Sequence, residues 1–306
     1  VRLIDTTHRE MTKYMDTIDQ TDKMAEMSRL GADWWNDSCD LSQLAEAVAQ
    51  GATGATSNPV IVEAVVAADS ERWLGIVKNI SREHPEESVD KITWRLIADM
   101  GKQASKILLP VFEKTGGKKG YLSLQVNPKY NLDPDKMFEQ AAELASLAPN
   151  IAIKLPATKS GLEAVERLSA RGIGVNVTIS FSVAQAVAAA EAIERGLMTY
   201  ANGGNDALTV HPYVTIMVGR VGDHLANIAE RDGIELENEN ALIRSGSLVF
   251  KHAARIFKER GFQSTLLAAA YRHELQWSEI IGEGVLQSIP YTLWKAFQKP
   301  DFSIGE

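Results

Sequence analysis

The stretch IAIKLP, residues 151–156, is almost wholly apolar, yet Lys154 sits in the middle of it. Such a run suits a strand buried on both faces. An ammonium buried there without a partner costs on the order of several kcal/mol. Burial disfavours the charged form, so an enclosed amine loses its proton more easily. A neutral lysine can attack a carbonyl and form a Schiff base. The resulting iminium is an electron sink, so a bond beside the former carbonyl carbon can break or form. That chemistry needs a proton shuttle and polar groups for substrate hydroxyls, and no metal. A lysine in an apolar run is more ordinarily a strand-end residue whose head reaches water. The run alone leaves both readings open.

Other apolar runs carry polar residues at a spacing of two. GATSNP offers Thr56 and Asn58, GYLSLQV offers Ser123 and Gln125, and GVNVTIS offers Asn176, Thr178 and Ser180. WWNDSCD ends on Asp37 and Asp40, TIMVGRV carries Thr215 and Arg220, and AAAYRHELQ carries Tyr271 and Arg272. Residues two apart on a strand share a face. A structural network could place one or two polar groups this way; three runs at this spacing, with polar residues ending three more, point to a converging interior site. Plainer readings stand beside this. Asp37 could cap the helix starting near Leu41, although Asp40 is better placed. Asn58 before Pro59 could be a turn residue, and Arg272 a surface cation. Cys39 has no nearby His or Arg to activate it and reads as inert. His211 and His273 read as satisfied or solvated.

The elements that would position these groups are short runs alternating with helical patterns. The strand-like runs are 32–37, 51–58, 120–126, 151–156, 174–180, 215–221, 264–271 and 284–289; helical patterns include 41–50, 182–195 and 242–260. Repeated β–α units imply a parallel sheet with right-handed crossovers. Eight strands suggest an α/β fold closed as a (β/α)8 TIM barrel, whose chemistry sits where strands end. Residues 1–306 read as one barrel domain, with 1–31 as an N-terminal helical extension and extra helices between 67 and 119. NGGN at 202–205 reads as a turn.

The chain has 306 residues, 45% hydrophobic and 24% charged, with a formal net charge of -8. Such a surface repels nucleic acid and anionic membranes, so neither is an expected partner. A single cysteine forms no intrachain disulfide and suits a reducing compartment, so a cytoplasmic location is expected. The first residues, VRLIDTTHRE, do not read as a signal peptide, and no window approaches a membrane span. HExxH, CxxC and GxxxxGK are absent, as is a convincing dinucleotide fingerprint. The sequon match at Asn176 reads as chance.

The series of motifs resembles the transaldolase family. DSCD, GATGATSNPVIV, IAIKLPAT with GLEA downstream, GVNVTISFSVAQA, IMVGRVGD and AAAYRHELQ follow in the family's order from about residue 32 to residue 295. The resemblance implies a (β/α)8 barrel, no cofactor, and transfer of a dihydroxyacetone unit between sugar phosphates, as in the pentose phosphate pathway. It implies Lys154 as the Schiff-base lysine, Asp37 as the catalytic aspartate and Thr178 as the residue holding a catalytic water. Asn58, Ser123 and Asn176 fall on substrate contacts, and Arg220 and Arg272 on phosphate-binding arginines.

The chain departs from that pattern in the substrate shell. Gln125 stands where most transaldolases have a glutamate, and an amide can orient a water but cannot take its proton. A glutamine here is similar to fructose-6-phosphate aldolases, which handle free dihydroxyacetone. Thr215 replaces a serine expected to contact substrate, Met217 an aromatic, and Ala270 a serine. Three readings stay open: a transaldolase, an aldolase-like lyase or specialised transaldolase acting on an unusual sugar, and a non-catalytic sugar-phosphate-binding barrel. The donor, the acceptor and any homo-oligomer are left open.

Overall fold

The computed structural model describes residues 23–298 except 236, 237, 239 and 283. Eight parallel strands close a barrel in sequence order. They are β1 (Asp33–Asn36), β2 (Gly54–Thr56), β3 (Tyr121–Gln125), β4 (Ile151–Pro156), β5 (Val175–Ser180), β6 (Tyr213–Met217), β7 (Thr265–Ala269) and β8 (Leu286–Ile289). The helices in chain order are α1 (Lys23–Arg29), α2 (Leu41–Ala49), α3 (Pro59–Ala68), α4 (Ser70–Glu83), α5 (Val89–Lys114) and α6 (Pro134–Ala145). They continue as α7 (Lys159–Ser169), α8 (Val183–Asn202), α9 (Val218–Asp232), α10 (Asn240–Arg260), α11 (Leu275–Ser278) and α12 (Tyr291–Phe297). The extra helices expected between 67 and 119 are α4 and α5. The expected extension over residues 1–31 lies outside the described residues except for its last part, where α1 is helical.

One strand expectation needs correcting. The run 215–221 is not a strand throughout: β6 starts earlier, at Tyr213, and Val218 opens α9. Val218, Val221, Leu225 and Ile228 recur at three- and four-residue steps, the helical spacing that the short apolar run TIMV obscured.

Strand alternation sorts the barrel wall into layers. Outward residues such as Leu122, Ile153, Leu155, Val177 and Val214 are fully buried under the helices. Inward, Trp35, Tyr121, Ala152, Tyr213, Leu267 and Leu286 form an apolar plug near the N-terminal ends of the strands. Trp35 meets Tyr213 edge-on at 4.7 Å between ring centroids. Gly54 makes room for that plug: an added Cβ would lie 2.5 Å from the Trp35 indole nitrogen and 2.6 Å from the Tyr121 carbonyl oxygen. Two residues further along the same strands stand Asp37, Thr56, Ser123, Lys154, Thr215 and Ser288. The barrel interior therefore changes from apolar to polar within one step of the pleat, toward the end where barrel enzymes work.

Candidate active site

Lys154 projects from β4 into this polar layer, between Gln125 of β3 and Asn176 of β5 in register. Its Nζ donates to the Ser57 carbonyl oxygen at 3.3 Å. No carboxylate among the described residues lies in ion-pair range of it. Burial pushes the amine below the ordinary lysine range, and the Asp37 carboxylate pulls it only partly back. The side chain is thus an enclosed amine biased toward its neutral, nucleophilic form.

Asp37 stands just past β1, with its backbone N–H on the Ile289 carbonyl at 3.0 Å. Its Oδ1 accepts from the Thr56 hydroxyl at 2.5 Å. Burial raises its carboxyl above the usual range; the Lys154 charge and the Thr56 hydroxyl oppose the rise without cancelling it. The helix-capping alternative for Asp37 falls away. Asp40 caps α2, accepting from Ser42 N at 3.0 Å and Gln43 N at 2.9 Å. Cys39 is buried, and burial pushes its thiol up, away from the reactive thiolate.

Across the layer, Thr215 donates to Asn176 Oδ1 at 2.7 Å and Asn176 Nδ2 donates to Ser123 Oγ at 2.9 Å. All three are buried. This line ties β3, β5 and β6 together beside Lys154 and fixes which way the amide faces. Asn58 caps α3: its Oδ1 accepts from Ile61 N at 3.0 Å, so its turn role is real. Gln125 and Thr178 line a cavity of about 230 Å³ together with Pro156, Ile179 and Met137, where a water would meet polar partners. Ile179 sits at φ 63° where the β5–β6 register shifts, a costly conformation for a β-branched residue. It is 43% exposed while Thr178 beside it stays buried.

Arg220 and Arg272 meet over one carboxylate. Each reaches Asp223 Oδ2 at 3.4 Å, and Arg272 also donates to the Ala270 and Tyr271 carbonyls. Arg220 lies in the first turn of α9, whose start has no side-chain cap, and the helix dipole favours an anion there. With Phe181 and His224 the arginine borders a cleft of about 580 Å³. Gly219 sets the approach: an added Cβ would come 2.1 Å from the Ala270 carbonyl oxygen.

Several sequence candidates lie elsewhere. Tyr271 is buried with its hydroxyl on Gln287 at 3.0 Å, outside the polar layer. His211 borders a hollow with Lys118 and Asp33 at the N-terminal end of the strands. His273 accepts from Leu275 N at 3.1 Å. Ser180 is buried, and its hydroxyl has no partner among the described residues. Sequence reasoning missed Ser288, Asp223 and the Ser57 carbonyl. Ser288 had a signal: it falls two residues after Leu286 in an apolar run. Asp223 follows Arg220 by one helical turn. A backbone carbonyl has no signature. Among the described residues no cluster of three or more His, Cys, Asp or Glu could hold a metal, and no helix is long and apolar enough to cross a membrane.

A family model described as Transaldolase/Fructose-6-phosphate aldolase matches residues 34–303. The chain is similar to the transaldolase of Thiobacillus denitrificans, 32% identical over 265 residues, covering 83% of this chain and 73% of that one. With the transaldolase of Neisseria gonorrhoeae it shares 28% identity over 300 residues, 90% of this chain and 83% of the relative. The match to the transaldolase of Mycobacterium marinum, at 30% identity, covers 70% of this chain and 59% of the relative.

Proposed function

The chain belongs to the transaldolase/fructose-6-phosphate aldolase family, and on that premise we propose that it moves a dihydroxyacetone unit from a ketose phosphate to an aldose phosphate through a Schiff base on Lys154. The observation that carries this reading is the buried amine held without a carboxylate in ion-pair range and pushed toward neutrality. Lys154 attacks the ketose carbonyl, losing a proton as the carbon–nitrogen bond forms. Asp37 moves protons during loss of water and cleavage of the carbon–carbon bond; its raised carboxyl lets it hold a proton and give it back. Gln125 and Thr178 orient a water between them. The aldose phosphate leaves, and the three-carbon unit stays as an enamine that attacks an incoming aldehyde. Water then hydrolyses the resulting Schiff base, releasing the new ketose and restoring the Lys154 amine.

Asn58, Ser123, Asn176 and Thr215 orient the sugar hydroxyls. Arg220 and Arg272 hold phosphates, assisted by the uncapped start of α9. Borohydride added with fructose 6-phosphate should leave a reduced three-carbon adduct on Lys154, read by mass spectrometry. Undiminished labelling in a Lys154→Ala variant would remove the assignment.

Gln125 supports a second reading, a lyase that releases free dihydroxyacetone, since its amide orients a water but takes no proton. Release as fast without an acceptor aldehyde as with one would favour the lyase. Binding of sugar phosphate with neither labelling nor turnover would favour a non-catalytic barrel.

A further inference from the structure

Ser288, on β8, is fully buried and lies two residues beyond Leu286 of the apolar plug. Its Oγ stands 2.5 Å from Thr56 Oγ1. Thr56 in turn donates to Asp37 Oδ1. A hydroxyl has one proton, so while Thr56 gives its proton to the carboxylate, Ser288 must be the donor to Thr56. The order is Ser288 to Thr56 to Asp37, across three neighbouring strands. The same strand segment anchors the Asp37 backbone through the Ile289 carbonyl.

We propose that Ser288 is a positioning residue for the reaction, aiming and polarising through Thr56 the hydroxyl that holds Asp37. The inference rests on the reading of Asp37 as the proton carrier and deepens it. Hydrogen bonds in series polarise one another, so a hydroxyl that itself accepts a bond is a better donor to a carboxylate. The chain also reverses. When Asp37 takes a proton, its O–H donates to Thr56 and the Thr56 hydroxyl turns toward Ser288. Each hydroxyl keeps its own proton and only rotates, so no proton is lost or gained in the chain. Asp37 therefore keeps a partner in both protonation states, as a group that accepts and returns a proton requires.

Few other groups bear on Asp37. Lys154 of β4 is the charged group that faces it, and Cys39, two residues along the same loop, is the titratable thiol beside it. No residue of β2 or β8 is titratable. Weakening the chain should thus raise the Asp37 carboxyl further, because the Thr56 hydrogen bond opposes that rise.

The test is the pH dependence of kcat/KM for fructose 6-phosphate with an aldose phosphate acceptor, in wild type, Asp37→Asn and the chain variants. Wild type should show an acid limb with a part due to Asp37, which Asp37→Asn removes, leaving only the part due to the Lys154 amine. In Ser288→Ala the limb should move to higher pH by about half a unit to one unit. kcat should fall about 3- to 10-fold with KM changed less than about twofold. Ser288→Thr keeps the hydroxyl and should stay within about twofold of wild type. Thr56→Val should shift the limb in the same direction, and the double variant Ser288→Ala/Thr56→Val should shift it no further than Thr56→Val alone, since Ser288 acts through Thr56. If Ser288→Ala does not fold, Ser288→Cys, with its weaker donor, should show a smaller shift of the same sign. A limb in the wild-type position in Ser288→Ala, or in Ser288→Cys where Ser288→Ala does not fold, or additive shifts in the double variant, overturns the inference. No adduct on Lys154 and no Asp37-dependent limb in wild type would instead sink the reading of the whole site, and the relay with it.

Discussion

Two opposite charges enclosed in one barrel interior would ordinarily both be stabilised in their charged forms. Here burial is the larger effect on each: it pushes Lys154 down and Asp37 up, and their mutual attraction only moderates both shifts. The carboxylate raises the amine's pKa, so removing it should lower that pKa further. In Asp37→Asn the pH at which Lys154 becomes reactive should therefore fall, while the steps that need proton transfer slow. The pH dependence of borohydride labelling on Lys154 reads the first effect apart from the second. A midpoint that rises or stays put would show that Asp37 does not hold the amine's charge. At this scale the sequence was partly legible. Lys154 stands out because a lysine is so improbable in IAIKLP. Asp37 is harder to place, since an aspartate shortly before a helix can also read as a cap, although Asp40 is better placed for that role and fills it.

At the scale of elements, the start of α9 and the loop after β7 meet at one corner, the one proposed to hold phosphate, with a close approach at Gly219. Its missing Cβ lets the helix approach the Ala270 carbonyl, and Ala270 itself takes φ 63°. Gly219→Ala should push these two elements apart by a few tenths of an ångström or more and spread Arg220 from Arg272. We expect KM for phosphorylated donor to rise by about tenfold, with a much smaller effect on the rate of Lys154 labelling by unphosphorylated dihydroxyacetone. Equal losses with both substrates would mean that the corner does not bind phosphate. The strands were mostly legible as apolar runs, while the β6–α9 boundary was not. TIMV followed by GRV is short enough to satisfy either a strand or a helix, and the choice is made by where the barrel hydrogen bonds end.

For the molecule as a whole, the site is kept at a cost in stability. Lys154 has a lowered pKa when folded, so the folded chain binds fewer protons than the unfolded one above that pKa, and stability rises with pH toward the unfolded lysine value of 10.5. Asp37 has a raised pKa when folded, so its contribution is greatest at low pH and is lost as pH rises from 3.8 through the folded value. At neutral pH both groups work against folding. Replacing the pair together, Lys154→Met with Asp37→Asn, should abolish labelling and raise the melting temperature by about 2–5 °C. A lower melting temperature in thermal unfolding would show that the pair stabilises the barrel. Alternation of apolar runs with helical patterns, together with polar residues two apart on successive strands, was sufficient to specify a parallel (β/α)8 barrel and most of its inner polar layer, because strand pleat and helix pitch are local properties of the chain. The hydroxyl chain from Ser288 was decided only by closure of the sheet, which sets β8 beside β1 and brings together residues more than 200 positions apart, while the Ser57 carbonyl under Lys154 and the reach of Arg272 to Asp223 were decided by the packing of loops and elements that are not neighbours in sequence.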